Sequence, residues 1–120
     1  KIKRLNIKFK EWNENASNDI IKSDIVLLPY PNDKSRLVKS SNRIIDSINL
    51  GRFSILSKVQ QFEEFKEFVY YGEISEGIKW FVNNTEEAKN KTLNGQNYIT
   101  KNYSIEKVCN LWTEIFCKLT

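Results

Sequence analysis

A chain of 120 residues, 40% hydrophobic and 12% aromatic, has the size and composition of one globular domain with one core. It contains no apolar run near the roughly 18 residues that cross a bilayer, and no charged start leading into an export signal. With no histidine and two cysteines, it lacks the material for a zinc site or a histidine-based triad.

These features predict one soluble, compact unit spanning residues 1–120, cytoplasmic, with any membrane association of the full-length protein peripheral. The sequence begins at Lys1, without methionine and directly in strand-like residues, which reads as a segment of a longer protein. Cys109 and Cys117 fall on one predicted helix, about 12 Å apart along its axis, too far for a disulfide. The formal charge of +4 is uneven. Residues 1–43 carry ten Lys/Arg against five Asp/Glu, and residues 59–120 carry seven against nine. The basic excess in the first third is either a solvated face or an anion site.

In chain order, Leu5, Ile7 and Phe9 alternate with polar residues and predict a strand with one buried face. Turn and capping residues then surround a short helix anchored by Ile20 and Ile21. The run DIVLLP, residues 24–29, is apolar, short and closed by proline, as expected of a central strand covered on both sides. A hydrophilic loop follows, and Ser40 or Ser41 is placed to cap a helix whose core stripe is Ile44, Ile45 and Ile48, with Gly51 ending it in a left-handed turn. RFSILS predicts a second buried strand. Strand, loop, helix and strand make a crossover unit.

Beyond it, Phe62, Phe65 and Phe68 interleave with Glu63, Glu64 and Glu67, and VYYG offers a last short strand. Helices are predicted over residues 75–83, from Thr85 onward with acids in the first turn, and from Ser104 onward with Ile105, Val108, Trp112, Ile115 and Leu119 on one face. Trp12, Trp80 and Trp112 are expected to pack in the core rather than to serve as stacking platforms. The fold class is α/β: a three-layer Rossmann-like domain with a small, mainly parallel sheet and a helical carboxyl-terminal tail.

In open parallel sheets, ligands bind beyond the carboxyl ends of the strands, where loops enter helix N-termini. Residues 30–41 form such a connection. Lys34, Arg36, Lys39 and Arg43 gather there with no acid between Asp33 and Asp46, which suits a phosphate or diphosphate. Taken alone, this segment reads more readily as a solvent-facing loop with Arg43 paired to Asp46 one turn on, because the Gly-rich signature of a nucleotide loop is missing. Asp46 shares a helix face with Asn42 and Asn49, so its carboxylate can point away from the core and accept ribose hydroxyls.

The order SDIVLLPY, KSSNRIIDSINLGRFSIL, EEFKEFVYYGEISEGIKWFVNN and NYSIEKVCNLW resembles the carboxyl-terminal domain of GT-B glycosyltransferases, over residues 7–112. Asp46 stands five residues before Gly51, where that family usually has a ribose-binding glutamate; the family's sugar-contacting acid eight residues earlier would fall on Val38. The resemblance implies a transferase of a sugar from a nucleoside-diphosphate sugar, without a metal or other cofactor. Lys39, Ser40, Ser41, Asn42 and Arg43 would hold the donor phosphates, Asp46 the ribose, and Pro29 and Tyr30 part of the pocket wall, with Ser57 to Gln61 a secondary candidate. It also implies that the catalytic base lies in a missing N-terminal domain, the remaining partner, so that these 120 residues alone are inactive. The rivals are a nucleic-acid-binding module using the basic first third and a noncatalytic α/β interaction domain.

Overall fold

A four-residue strand with no exposed side chain organises the chain. In a computed structural model, which describes residues 5–31 and 40–120, the elements run α1 (Ala16–Lys22), β1 (Ile25–Leu28), α2 (Asn42–Asn49), β2 (Phe53–Leu56), a 3-10 helix (Gln60–Phe65), β3 (Tyr70–Tyr71), α3 (Ile74–Asn83), α4 (Thr85–Asn102) and α5 (Ile105–Leu119). The three strands form a parallel sheet in the order β1-β2-β3, with Ile25 opposite Phe53, Leu28 opposite Leu56, and Leu56 opposite Tyr71. All four residues of β2 are buried, which is what a strand flanked on both edges and covered on both faces requires.

The period of two along the strands divides the apolar side chains between two cores. On one face Leu28 and Leu56 join Ile44 and Ile48 of α2, Phe62 and Phe65 of the 3-10 helix, and Ile99 of α4. On the other, Phe53 and Ile55 meet Ala88, with Ile74, Trp80 and Phe81 of α3 packed alongside. The domain is thus mixed α/β with helices on both faces and further helices after the sheet. Trp80 lies against Phe53 and Tyr70, at ring centroid distances of 5.5 and 6.0 Å, and is the tryptophan that packs as expected.

Local chemistry sets most boundaries. Gly51 has φ of 75°, its N–H bonds the Ile48 carbonyl and the Arg52 N–H bonds that of Ser47, the paired closure that a left-handed residue allows after a helix. Ser104 caps α5 by accepting from the Lys107 N–H at 3.1 Å. Ser41 occupies the corresponding position of α2 without a side-chain cap, because its ψ of 15° is not the extended conformation that turns a hydroxyl back to the first amides. Thr85 is the first helical residue of α4 and not its cap. Asn84 precedes it and spends its side chain on α3, donating to the Trp80 carbonyl at 2.8 Å.

Several expectations from the sequence are corrected. Residues 5–9 form no strand, and Leu5, Ile7 and Phe9 are 81%, 66% and 94% exposed. With no strand from that segment beside it, β1 is an edge strand in the described sheet, and Leu27 is half uncovered. Helix α1 buries nothing, with Ile21 exposed and Ile20 half-buried; the Arg52 guanidinium, donating to the Ile21 carbonyl, ties it to the domain. Helix α5 likewise has no buried residue, so Trp112 and its stripe stay outside both cores. The radius of gyration is 16.7 Å, against roughly 14 Å for a compact chain of this length. The sheet and its covering helices hold the buried side chains, and α1 and α5 contribute none.

A close approach at Gly77 lets α3 lie on the sheet. A Cβ at Gly77 would lie 2.4 Å from Ile55 Cγ2 and 2.7 Å from Tyr70 Cδ1, so α3 rests directly on the sheet. Gly77→Ala is expected to destabilise the fold by about 1–3 kcal/mol through overpacking, read as a lower urea midpoint with an unchanged slope.

The Glu64 carboxylate joins the 3-10 helix to the end of α4: Tyr98 donates to it at 2.6 Å, and the Tyr103 hydroxyl lies 2.7 and 2.8 Å from its two oxygens. Burial and then the bond to Glu64 push the Tyr103 phenol above the ordinary tyrosine range, and the same carboxylate raises Tyr98. A raised folded-state pKa contributes stability that is complete below the unfolded value of about 10 and is lost as pH rises through the folded value. Tyr103→Phe should therefore be less stable than wild type at pH 7, with the gap in urea midpoint closing above pH 10; a gap that is constant from pH 7 to 11 would refute the linkage.

Candidate functional site

Helix α2 carries the strongest candidates, and its two faces have separate tasks. Ile44, Ser47 and Ile48 are buried, while Asn42, Arg43, Asp46 and Asn49 are exposed, as the three-and-four spacing requires. The Ser47 hydroxyl stays within the helix, donating to the Arg43 carbonyl at 2.8 Å. Asp46 is therefore turned outward by the same geometry that buries the isoleucines.

The outer flank of α2 forms one wall of a groove of about 540 Å³. Arg43, Asp46, Ser47, Asn49 and Leu50 line that wall. Trp12, Asn13, Glu14, Ala16, Ser17 and Ile20, at the approach to α1 and along it, line the other, and Val26 and Leu28 of β1 lie between them. The volume falls within the range of small-molecule sites, which combine an apolar lining with a few placed polar groups. Arg43 and Asp46 both open into the groove, and among the described residues no ion pair joins them. The simple pairing one turn apart is thus not made, and both charges remain available to a ligand. Arg43 is one cation beside the carboxylates of Asp46 and Glu14, so the groove is not a uniformly basic track.

The other candidates divide. Ser40, Ser41 and Asn42 sit at the start of α2 and do not line this groove, although the Ser41 carbonyl accepts from the Ile44 and Ile45 amides at 3.1 and 3.0 Å. Lys39, with Lys34, Arg36 and Val38, lies outside the described residues. Pro29 is exposed at the end of β1 and is likewise absent from the groove lining. Tyr30 packs inward, with its ring 5.0 Å from Phe62 and its N–H donating to Ser57 Oγ at 3.2 Å, which makes it a part of the core margin. In the secondary candidate stretch, Val59 is buried and its carbonyl accepts from the Tyr71 hydroxyl at 2.8 Å. That bond ties the stretch to β3. Burial, with the charge of Glu63, raises the Tyr71 pKa.

Trp12 corrects the expectation that all three tryptophans pack in the core. It is 85% exposed and lines the groove opposite Asp46. The signal in the sequence was its setting: Trp12 stands among Glu11, Asn13, Glu14 and Asn15, outside any apolar stripe. At the carboxyl end of β3, Glu73 was also missed. Its carboxylate caps α3 by accepting from the Glu76 amide at 2.9 Å, and the Ser75 hydroxyl, followed by that amide, holds it below the usual carboxylate range.

No protein-family model, no curated protein and no solved structure matches this chain. Among the described residues no three His, Cys, Asp or Glu side chains gather as metal ligands, and no helix is long and apolar enough to cross a membrane.

Because Asp46 is exposed, Asp46→Asn should leave the unfolding free energy from urea titration within about 0.5 kcal/mol of wild type, whereas Ile48→Ala on the opposite face should cost about 2–5 kcal/mol. Equal losses at both positions would show that Asp46 serves the fold.

Proposed function

We propose that the chain is the nucleotide-binding part of a glycosyltransferase that takes a sugar from a nucleoside-diphosphate donor, with the acceptor-side base supplied by a further domain of the full-length protein. The observation that supports this best is the convergence of Arg43 and Asp46, one turn apart on α2, on a groove with an apolar floor beside a parallel sheet. In this reading Asp46 accepts the ribose hydroxyls, and Arg43, with Lys39 and the amides at the start of α2, receives the diphosphate. Charge accumulates on the leaving diphosphate as the glycosidic bond breaks, and fixed cations and amide dipoles stabilise that charge without having to reorganise. Ser40, Ser41 and Asn42 belong to this phosphate end. The GT-B resemblance of the sequence points the same way.

The charge pattern weighs against the nucleic-acid reading. A phosphate-tracking surface needs a continuous basic stripe, and Asp46 and Glu14 interrupt this groove. The noncatalytic interaction domain differs from the transferase in requiring no diphosphate affinity at all.

Calorimetric titration with UDP, GDP and ADP distinguishes the three. One diphosphate should bind saturably, and Arg43→Ala should weaken it by roughly 10- to 100-fold, the loss expected for a charged hydrogen-bonding partner. Binding only of short duplex DNA, falling steeply with salt, would replace the proposal by the nucleic-acid module. Binding of neither would leave the interaction domain.

A further inference from the structure

At the opposite edge of the sheet from the α2 groove, beside β3, lies a second hollow of about 430 Å³ that shares no lining residue with the first. Lys58 reaches it from the residues after β2, Lys66 from the end of the 3-10 helix and Lys91 from α4. Three cations far apart in the chain are thus brought together by the fold. Tyr70 of β3 and Trp80 of α3, both half-buried and 6.0 Å apart between ring centroids, give the hollow an aromatic wall. Because β3 is only two residues long, its edge offers too little ladder to hold an extended peptide, so any ligand here depends on the side chains.

Those side chains are donors that the protein leaves largely unused. Among the described residues the Lys58 ammonium, the Trp80 indole N–H and the Tyr70 hydroxyl have no hydrogen-bond partner. Lys91 gives one of its three N–H groups to the Glu67 carbonyl at 3.2 Å, and Lys66 meets Glu63 at 3.4 Å in an exposed pair, which contributes little. Both ammonium groups keep further donors. Glu87 is the acid of this lining, and among the described residues no ion pair joins it to Lys91 one turn on. The backbone around Lys58 is also fixed: the Ser57 N–H donates to the Leu28 carbonyl at 3.4 Å, Ser57 Oγ accepts from the Tyr30 N–H, and the Val59 carbonyl accepts from the Tyr71 hydroxyl. A cation presented from a held loop loses less freedom on binding than one on a free segment.

We propose that this hollow is a second anion site, one that binds the phosphate group of a phosphomonoester through Lys58, Lys66 and Lys91, with Trp80 and Tyr70 donating from the aromatic wall. Three lysines against one glutamate leave two positive charges, which match the charge of roughly −2 on a phosphomonoester at neutral pH. A carboxylate matches less well, since it brings one charge and two oxygens to five donor groups. Phosphate brings three terminal oxygens that only accept, and charge-assisted bonds to such oxygens are the strong ones. The assignment uses no residue of α2 and stands apart from the donor-site reading.

The test titrates the 120-residue chain with inorganic phosphate at constant ionic strength and follows the amide and indole N–H resonances. Saturable shifts are expected at the Trp80 indole and around Lys58 and Lys91, with the indoles of Trp12 and Trp112 unmoved. Lys58 is exposed, so Lys58→Gln should keep the wild-type melting temperature while weakening phosphate by roughly 10- to 100-fold, the loss of a hydrogen bond from a charged donor. Lys89→Gln removes the same charge from another part of α4, where Lys89 lines a different hollow, and should change little. An equal loss in Lys89→Gln would mean diffuse attraction to net charge and overturns the site. Shifts that vanish in Arg43→Ala would put the phosphate in the α2 groove, overturning this site and supporting the donor reading. An absence of saturable shifts overturns the site and leaves the donor reading intact. Sedimentation with phosphatidylcholine vesicles, with and without phosphatidic acid, separates the two sources of such a group. Pelleting that needs phosphatidic acid and is abolished by Lys58→Gln supports the site as one for a lipid headgroup, and phosphate shifts without pelleting support it as one for a soluble phosphomonoester.

Discussion

The burial of β2 on both faces is the constraint on which the domain depends. A strand with no solvent-facing side must be flanked by other strands and covered by helices above and below. Phe53, Ser54, Ile55 and Leu56 meet this with two parallel neighbours and two separate cores. The cost of the arrangement is visible at Ser54, whose fully buried hydroxyl has no hydrogen-bond partner among the described residues. Helix α4 reaches both cores, through Ala88 and through Ile99, and comes close to α2 because Gly95 has no Cβ to meet Ile48.

Helix α2 connects this packing to the site. Its inner face is committed to the first core, so its outer face cannot rotate without exposing Ile44 and Ile48. The directions of Arg43 and Asp46 are therefore set by hydrophobic burial on the far side of the helix. The same logic explains the rest of the groove. Its floor is apolar because Val26 and Leu28 alternate toward α2, and its second wall is held by a few polar ties: Lys10 to Asp19, and Arg52 to the Ile21 carbonyl. A well-packed wall facing a lightly tethered one is an arrangement that can adjust to a ligand.

The two ends of the chain obey no such constraint. Leu5, Ile7, Phe9 and Trp12 at one end, and the stripe from Ile105 to Leu119 at the other, are apolar and largely exposed. Within α5, Trp112 and Phe116 stack on each other at 5.7 Å, which covers a little of this surface but does not bury it. Contiguous apolar faces of this kind are uncommon on free monomers. The contrast with Trp80, seated between Phe53 and Tyr70, shows that the same residue type takes opposite roles according to which neighbours the fold brings to it.

Where the local pattern carried the signal, the sequence by itself determined the result: the apolar runs of β1 and β2, the isoleucine stripe of α2, Gly51 at its left-handed end, Ser104 as a cap, and the outward direction of Asp46 all follow from periodicity and backbone sterics within a few residues. What spacing could not decide was whether a partner exists. Leu5, Ile7 and Phe9 alternate as a strand should, yet alternation states only which faces differ and not what lies beside them. Trp12 and Trp112 are apolar enough for a core, yet burial depends on distant segments arriving at the same place. Only the tertiary structure decided that β1 lies at an edge, that Arg43 and Asp46 share a groove without pairing, and that Trp12 stands across from them, because each of these depends on contacts between residues far apart in the chain.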